Sequence, residues 1–225
     1  MTDLYPDQLF ALPQGEAAPI QFPVSQLILD AERFVDDAEE PMAARGMGVI
    51  YTRGSRSQIL RETPSPEERT ELLASFYEPH HWALAEAVEL ALGARGHCLV
   101  IDCHSFPPCP LHYEPGRRPD RPDICPGTDP YRTPQRLAAL AGVNIVDDGF
   151  QVALNRPYAG ALVPASHFHL VERVLAIMVE VNRAIYMDKE NGERLPEFKQ
   201  LVSRIRNLIR GLIRQTRMRS VILER

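Results

Sequence analysis

No stretch of this sequence runs apolar for the ~18–20 residues that a membrane helix needs, and the polar opening MTDLYPDQLF does not read as a signal peptide. Basic residues are not in excess. The 25 Lys and Arg face 30 Asp and Glu, and a net charge of −5 argues against nucleic acid as the main partner. Cysteine is scarce. Cys98, Cys103, Cys109 and Cys125 form no C-x-x-C, and their spacings suit no zinc ribbon. They read as reduced thiols in a cytoplasmic protein. There is no internal repeat. What these absences leave is a soluble globular chain, 44% apolar and 24% charged, whose 225 residues suffice for one domain, 1–225, with a full core.

Proline, by contrast, is plentiful: 20 residues, nine of them between Pro107 and Pro134. The stretch 105–133 predicts a long ordered wall without regular structure, since proline has little chain entropy to lose. Around it the pattern alternates. GMGVIYT (46–52) predicts a strand, and Ser65-Pro66-Glu67-Glu68 is a capping box with proline at the first helical position. The helix it opens is kinked or restarted at Pro79 and ends at Gly93 or Gly96. Strands are predicted over 97–102, 150–155 and 172–182, with helices over 134–141 and 194–215. Residues 1–46 show no lasting period. The alternation predicts a layered α/β fold.

In α/β proteins, sites assemble at the carboxyl ends of strands. VIDCHSFPPCP (100–110) places Asp102, Cys103 and His104 at such an end. Asp102 and His104, at i and i+2, face one side if the strand persists, as suits a metal ligand beside a carboxylate or merely a turn toward water. NRPYAGALVP (155–164) repeats the layout: an Asn155–Arg156 pair can grip a carboxylate, or can be a solvated turn. Glu180 interrupts the apolar run VLAIMVEVN. A buried carboxylate there has a raised pKa and can serve as a general base, or it forms a core ion pair with Arg183. His80 and His81 read as helix packing, and His167 and His169 show no carboxylate partner. From Arg194 onward nine basic residues face two acids, a solvated helix face or, less simply, a polyanion-binding one.

Four segments in order, LVIDCHSFP (99–107), RPDICPGTD (121–129), NRPYAGALVP (155–164) and IMVEVNRAIYMD (177–188), together resemble the N-formylglutamate amidohydrolase family. The resemblance implies a three-layer α/β/α fold with a mainly parallel, mixed sheet of the phosphorylase/hydrolase-like kind. It implies zinc as cofactor, with His104 and Asp3 as ligands, the latter from TDLYPDQLF. Glu180 would activate water, while Arg53, Asn155 and Arg183 would contact substrate. Its relatives take a first zinc histidine from a His-Ser-Gly turn upstream of the Asp3 segment. This sequence starts after that point, which implies an earlier true start or an incomplete metal site with zinc occupancy below one. The expected activity is removal of a formyl or other small acyl group from the nitrogen of an acidic amino acid. An impaired relative that binds such a metabolite without cleaving it is the alternative. The partner is a small acidic N-acyl amino acid, with no nucleic acid and no membrane, and self-association as a homo-oligomer stays open.

Overall fold

The computed structural model describes residues 3–114, 118–147, 149–164, 173–216 and 221–224. Its centre is a sheet of five strands: β1 (Ala18–Ile20), β2 (Cys98–Phe106), β3 (Ile124–Gly127), β4 (Val174–Asn182) and β5 (Val221–Glu224). Their spatial order is β1-β5-β2-β4-β3, and every pairing is parallel except β3 with β4. Strand β2 is buried along its whole length and β4 along nearly all of it. That explains why the first halves of both read as apolar runs: there the parallel sheet is covered on both faces.

Helices supply the two covers. On one face α4 (Gln135–Asp147) and α5 (Phe198–Thr216) pack Leu137, Ala141, Ile145, Leu201, Ile205 and Leu208 against Leu99, Ile101, Ile177 and Val179. On the other, α3 (Glu78–Arg95) lays Leu84 and Val88 over Cys98, Val100, Val174 and Ala176. This second cover stops halfway along the strands. Beyond it the same alternating positions become Asp102, His104, Met178 and Glu180. The sheet is thus apolar where a helix covers it and polar where none does.

The capping box forms as predicted: Ser65 and Glu68 exchange side-chain and backbone hydrogen bonds at the start of α2 (Pro66–Leu72). Pro79 neither breaks nor restarts the rod. A π turn over Leu73–Tyr77 widens the helix just before it, and α3 runs on. The wider turn makes room for a residue that cannot donate to the preceding turn. Gly96, at φ 75°, ends α3 in the left-handed conformation that glycine adopts without strain.

Two predicted strands are not strands of this sheet. Residues 47–52 make one isolated bridge, Met47 with Tyr51, because the carbonyl of Gly46 accepts from both Thr52 N and Arg53 N and closes the segment into a loop. Its apolar residues Val49 and Ile50 instead fill a small core with Leu29, under Leu72, Leu73 and Phe76. Residues 150–155 make one bridge, Val152 with Ile124, and end at Asn155 in a positive-φ turn. The proline-rich stretch, conversely, contains β3. Pro126 is tolerated there because β3 is an edge strand. Nearby, Arg121 pairs with Glu114 in the interior and lies 5.6 Å from the centre of the Phe106 ring.

The short helix α1 (Pro6–Leu9) begins a segment strapped down by α5. Arg206 donates to Ala11 O, Arg210 pairs with Glu16 at 2.5 Å, and Arg194 donates to Gln8. Arg206 and Arg210 of α5, with Arg194 just before it, thus clamp the chain's first residues. Among the described residues no helix is long and apolar enough to cross a membrane. All four cysteines are free thiols.

Candidate active site

A cavity of about 710 Å³ opens above the uncovered ends of β2 and β4. Asp3, Asp102, His104, Glu180 and Arg183 all line it, and so does Glu32. The in-register pairing of β2 with β4 sets His104 beside Glu180.

His104 is the centre. Its Nδ1 donates to Asp3 Oδ2 at 3.0 Å. Its Nε2 faces two carboxylates, Asp102 Oδ1 at 2.7 Å and Glu32 Oε1 at 2.9 Å. Burial alone would discharge the ring. The charges of Glu32 and Asp102 and the hydrogen bonds to Asp102 and Asp3 outweigh it and hold His104 as an imidazolium. Asp3 is itself fixed: its Oδ1 accepts from Ser105 N at 2.8 Å and Ser105 Oγ at 2.6 Å. Burial works against its ionisation, but His104 and Ser105 prevail and keep its carboxyl below the usual range. The strap reaches this far, for Tyr186 Oη donates to Leu4 O at 2.8 Å.

Glu32 arrives from the segment under α2. Asp30 N donates to Val49 O at 2.8 Å, and Asp30 in turn accepts from Glu32 N, from Tyr51 Oη at 2.6 Å and from Arg33. Desolvation and the neighbouring Asp102 raise the Glu32 carboxyl to about 7 against the pull of His104. Its side chain is still 31% exposed at the cavity, where water tempers that rise. Glu180 lies deeper. Burial first, then the charges of Asp3, Glu32 and Asp102, push it up to about 8 despite His104. Its Oε2 is buried with no hydrogen-bond partner among the described residues, as expected of a group aimed at something that enters the cavity.

Glu32, Asp102 and His104 offer one nitrogen and two carboxylate oxygens within 4.8 Å of one another. That donor set fits a divalent cation of zinc's type, which takes imidazole and carboxylate ligands and keeps a further position open for chemistry. The two carboxylate oxygens lie 2.7 and 2.9 Å from Nε2. Asp3, on the Nδ1 side, sits where an orienting carboxylate does. The sequence had pointed to His104 and Asp3. Glu32 was missed because nothing in LILDAERF distinguishes it from a solvated acid; Asp102 was noted as the carboxylate beside His104.

Arg53 and Asn155 are not brought to this cavity. Arg53 donates to Ser57 O at 3.1 Å and lines a separate depression of about 390 Å³ with Arg45 and His112. Asn155 exchanges hydrogen bonds with Thr128. His80 and His81, on α3, pack against the Phe22 and Tyr77 rings respectively, and His81 also lines the cavity, its Nε2 2.7 Å from Ala31 O. His167 and His169 lie outside the described residues.

A mostly parallel sheet between helix layers, with a histidine among carboxylates at its strand ends, defines an α/β protein with its candidate site at the carboxyl ends of the strands. The comparison with known proteins is more specific: the chain belongs to the N-formylglutamate amidohydrolase family, a family of hydrolases, with residues 1–187 matching. The crystal structure of N-formylglutamate amidohydrolase from Ralstonia eutropha superimposes with a TM-score of 0.67 at 23% identity, covering 86% of this chain and 75% of that one. A gene product of Agrobacterium tumefaciens gives 0.62 at 19% identity, covering 86% of this chain and 69% of that one. At these identities the likeness is one of fold. No curated protein sequence matches the chain.

Proposed function

We propose that this chain is a metal-dependent amidohydrolase that cleaves the N-acyl amide of a small amino acid. The observation that carries the proposal is the sharing of His104 Nε2 by Asp102 and Glu32, inside a cavity and beside the buried Glu180. Glu32, Asp102 and His104 would hold the ion, and zinc suits them. Bound there, it would supply Lewis acidity and make water easier to deprotonate.

The remaining work falls to side chains. Asp3 keeps the His104 proton on Nδ1 and so leaves Nε2 as a ligand. With positive charge added beside it, Glu180 ionises near neutral pH, takes a proton from the attacking water and returns it to the leaving nitrogen. Arg183, which follows directly on β4 and lines the cavity, would hold a substrate carboxylate.

The test is release of free amino acid from a panel of N-acyl amino acids by zinc-loaded protein and its Glu180→Gln variant. Hydrolysis by the wild type, and its loss in the variant with zinc still bound, is the expected result. No release from any member of the panel by zinc-loaded wild type would overturn the proposal.

A further inference from the structure

The cavity has more room than the family's namesake substrate fills, and its wall is acidic. N-formylglutamate has about twelve non-hydrogen atoms; even at the ~30 Å³ that a water molecule occupies in the liquid, these fill roughly 360 Å³. The cavity offers about 710 Å³. N-formylglutamate also carries two carboxylates. Among the described lining residues eight are acidic and two are arginines; with Asp30 and Glu40 set against Arg33 and Glu32 and Asp102 against a bound ion, Asp3, Glu39, Asp129 and Glu180 remain on the wall. Arg33, one of the two, is already engaged, 3.3 Å from Asp30 and 3.4 Å from Glu40. A second substrate carboxylate would enter against like charge.

Aromatic rings form part of the wall. Tyr51, Tyr77 and Tyr158 line the cavity, but their hydroxyls are turned to the protein. Tyr51 donates to Asp30 Oδ2 at 2.6 Å, Tyr158 to Glu114 Oε1 at 2.8 Å and Tyr77 to Arg33 O at 3.3 Å. With those hydroxyls bonded to protein, the part-exposed rings of Tyr77 and Tyr158 border the cavity, and Tyr51 and Met178 back it from buried positions. Aromatic and sulfur-bearing walls favour a planar apolar group in an edge-on or offset stack.

We infer that the amide substrate of this chain carries a single carboxylate and an aromatic group, in place of the second carboxylate of N-formylglutamate. The inference rests on the amidohydrolase reading of the same cavity. The shared chemistry is one carboxylate, one secondary amide and one ring, and the ring can belong to the amino acid or to the acyl group.

Zinc-loaded wild type is assayed with N-formylglutamate, N-formylphenylalanine and N-benzoylglycine, which separates those two sources. At least one aromatic substrate is expected to exceed N-formylglutamate at least tenfold in kcat/KM. Binding of the same compounds is measured by calorimetry on Glu180→Gln and on metal-free wild type, with the same order expected in Kd. Equal or better turnover and binding of N-formylglutamate overturns the inference while leaving the amidohydrolase reading intact. If nothing is cleaved, that reading fails, and the binding order alone decides the inference: tighter aromatic compounds uphold it and tighter N-formylglutamate overturns it.

Discussion

Asp3→Asn isolates what the carboxylate behind His104 does. The substitution keeps shape, and the amide oxygen can still accept from Ser105 N and Oγ, now at 2.8 and 2.6 Å from Asp3 Oδ1. The amide nitrogen then sits about where Oδ2 was, 3.0 Å from Nδ1, and offers a donor to a donor. The ring escapes by moving its proton to Nε2, the nitrogen that a metal needs bare. Loss of an orienting carboxylate of this kind costs about 10–100-fold in metal affinity, roughly 1.5–3 kcal/mol. Zinc affinity is read by competition with a chromophoric chelator, and circular dichroism confirms that the variant is folded. A change of less than about threefold would refute the orienting role, since a group that fixes the tautomer must cost more. Complete loss of binding would place Asp3 on the ion itself.

Two further perturbations test the frame that holds the site. His80 is buried, and desolvation with its neighbour His81 pushes its pKa down to about 4. The unfolded chain binds that proton near pH 6.5, so stability is full above 6.5 and is lost as pH falls toward 4. Metal-free wild type should lose about 2–3 kcal/mol between pH 7 and 4.5 on this account, a loss that His80→Phe removes in urea titrations; equal losses in both proteins would contradict it. Gly127→Ala puts a methyl 2.2 Å from Met178 Cε and 2.7 Å from the carbonyl of Gly160. The methionine can turn aside but the carbonyl is backbone, so a destabilisation of about 1–3 kcal/mol is expected in denaturant midpoints, and a neutral result would show that β3 shifts freely.

The parts of the fold written in local chemistry were legible in the sequence. The Ser65 capping box, the buried runs of β2 and β4 and the amphipathic α5 each depend on neighbours in the chain. Residues 47–52 misled because an apolar run that fills a satellite core looks like one that fills a strand. β3 was hidden by prolines that an edge position forgives, and β1 and β5 are too short to show a period. The site divides the same way. His104, Asp102 and Glu180 announce themselves as polar residues in apolar strands. Glu32 does not, because its role depends on Asp30, Val49 and Tyr51 folding the 30–51 segment over the strand ends. The family resemblance implied Arg53 as a substrate contact, yet it lines a different depression, beyond the loop closed at Gly46.

Calorimetric titration of zinc into metal-free wild type and Glu32→Gln tests the convergence of Glu32, Asp102 and His104 most directly. Saturable binding of one zinc per chain by wild type, weakened at least tenfold in the variant, is the predicted result. Wild type that shows no saturable binding, or a variant that binds as tightly as wild type, would contradict a metal centre built on these residues.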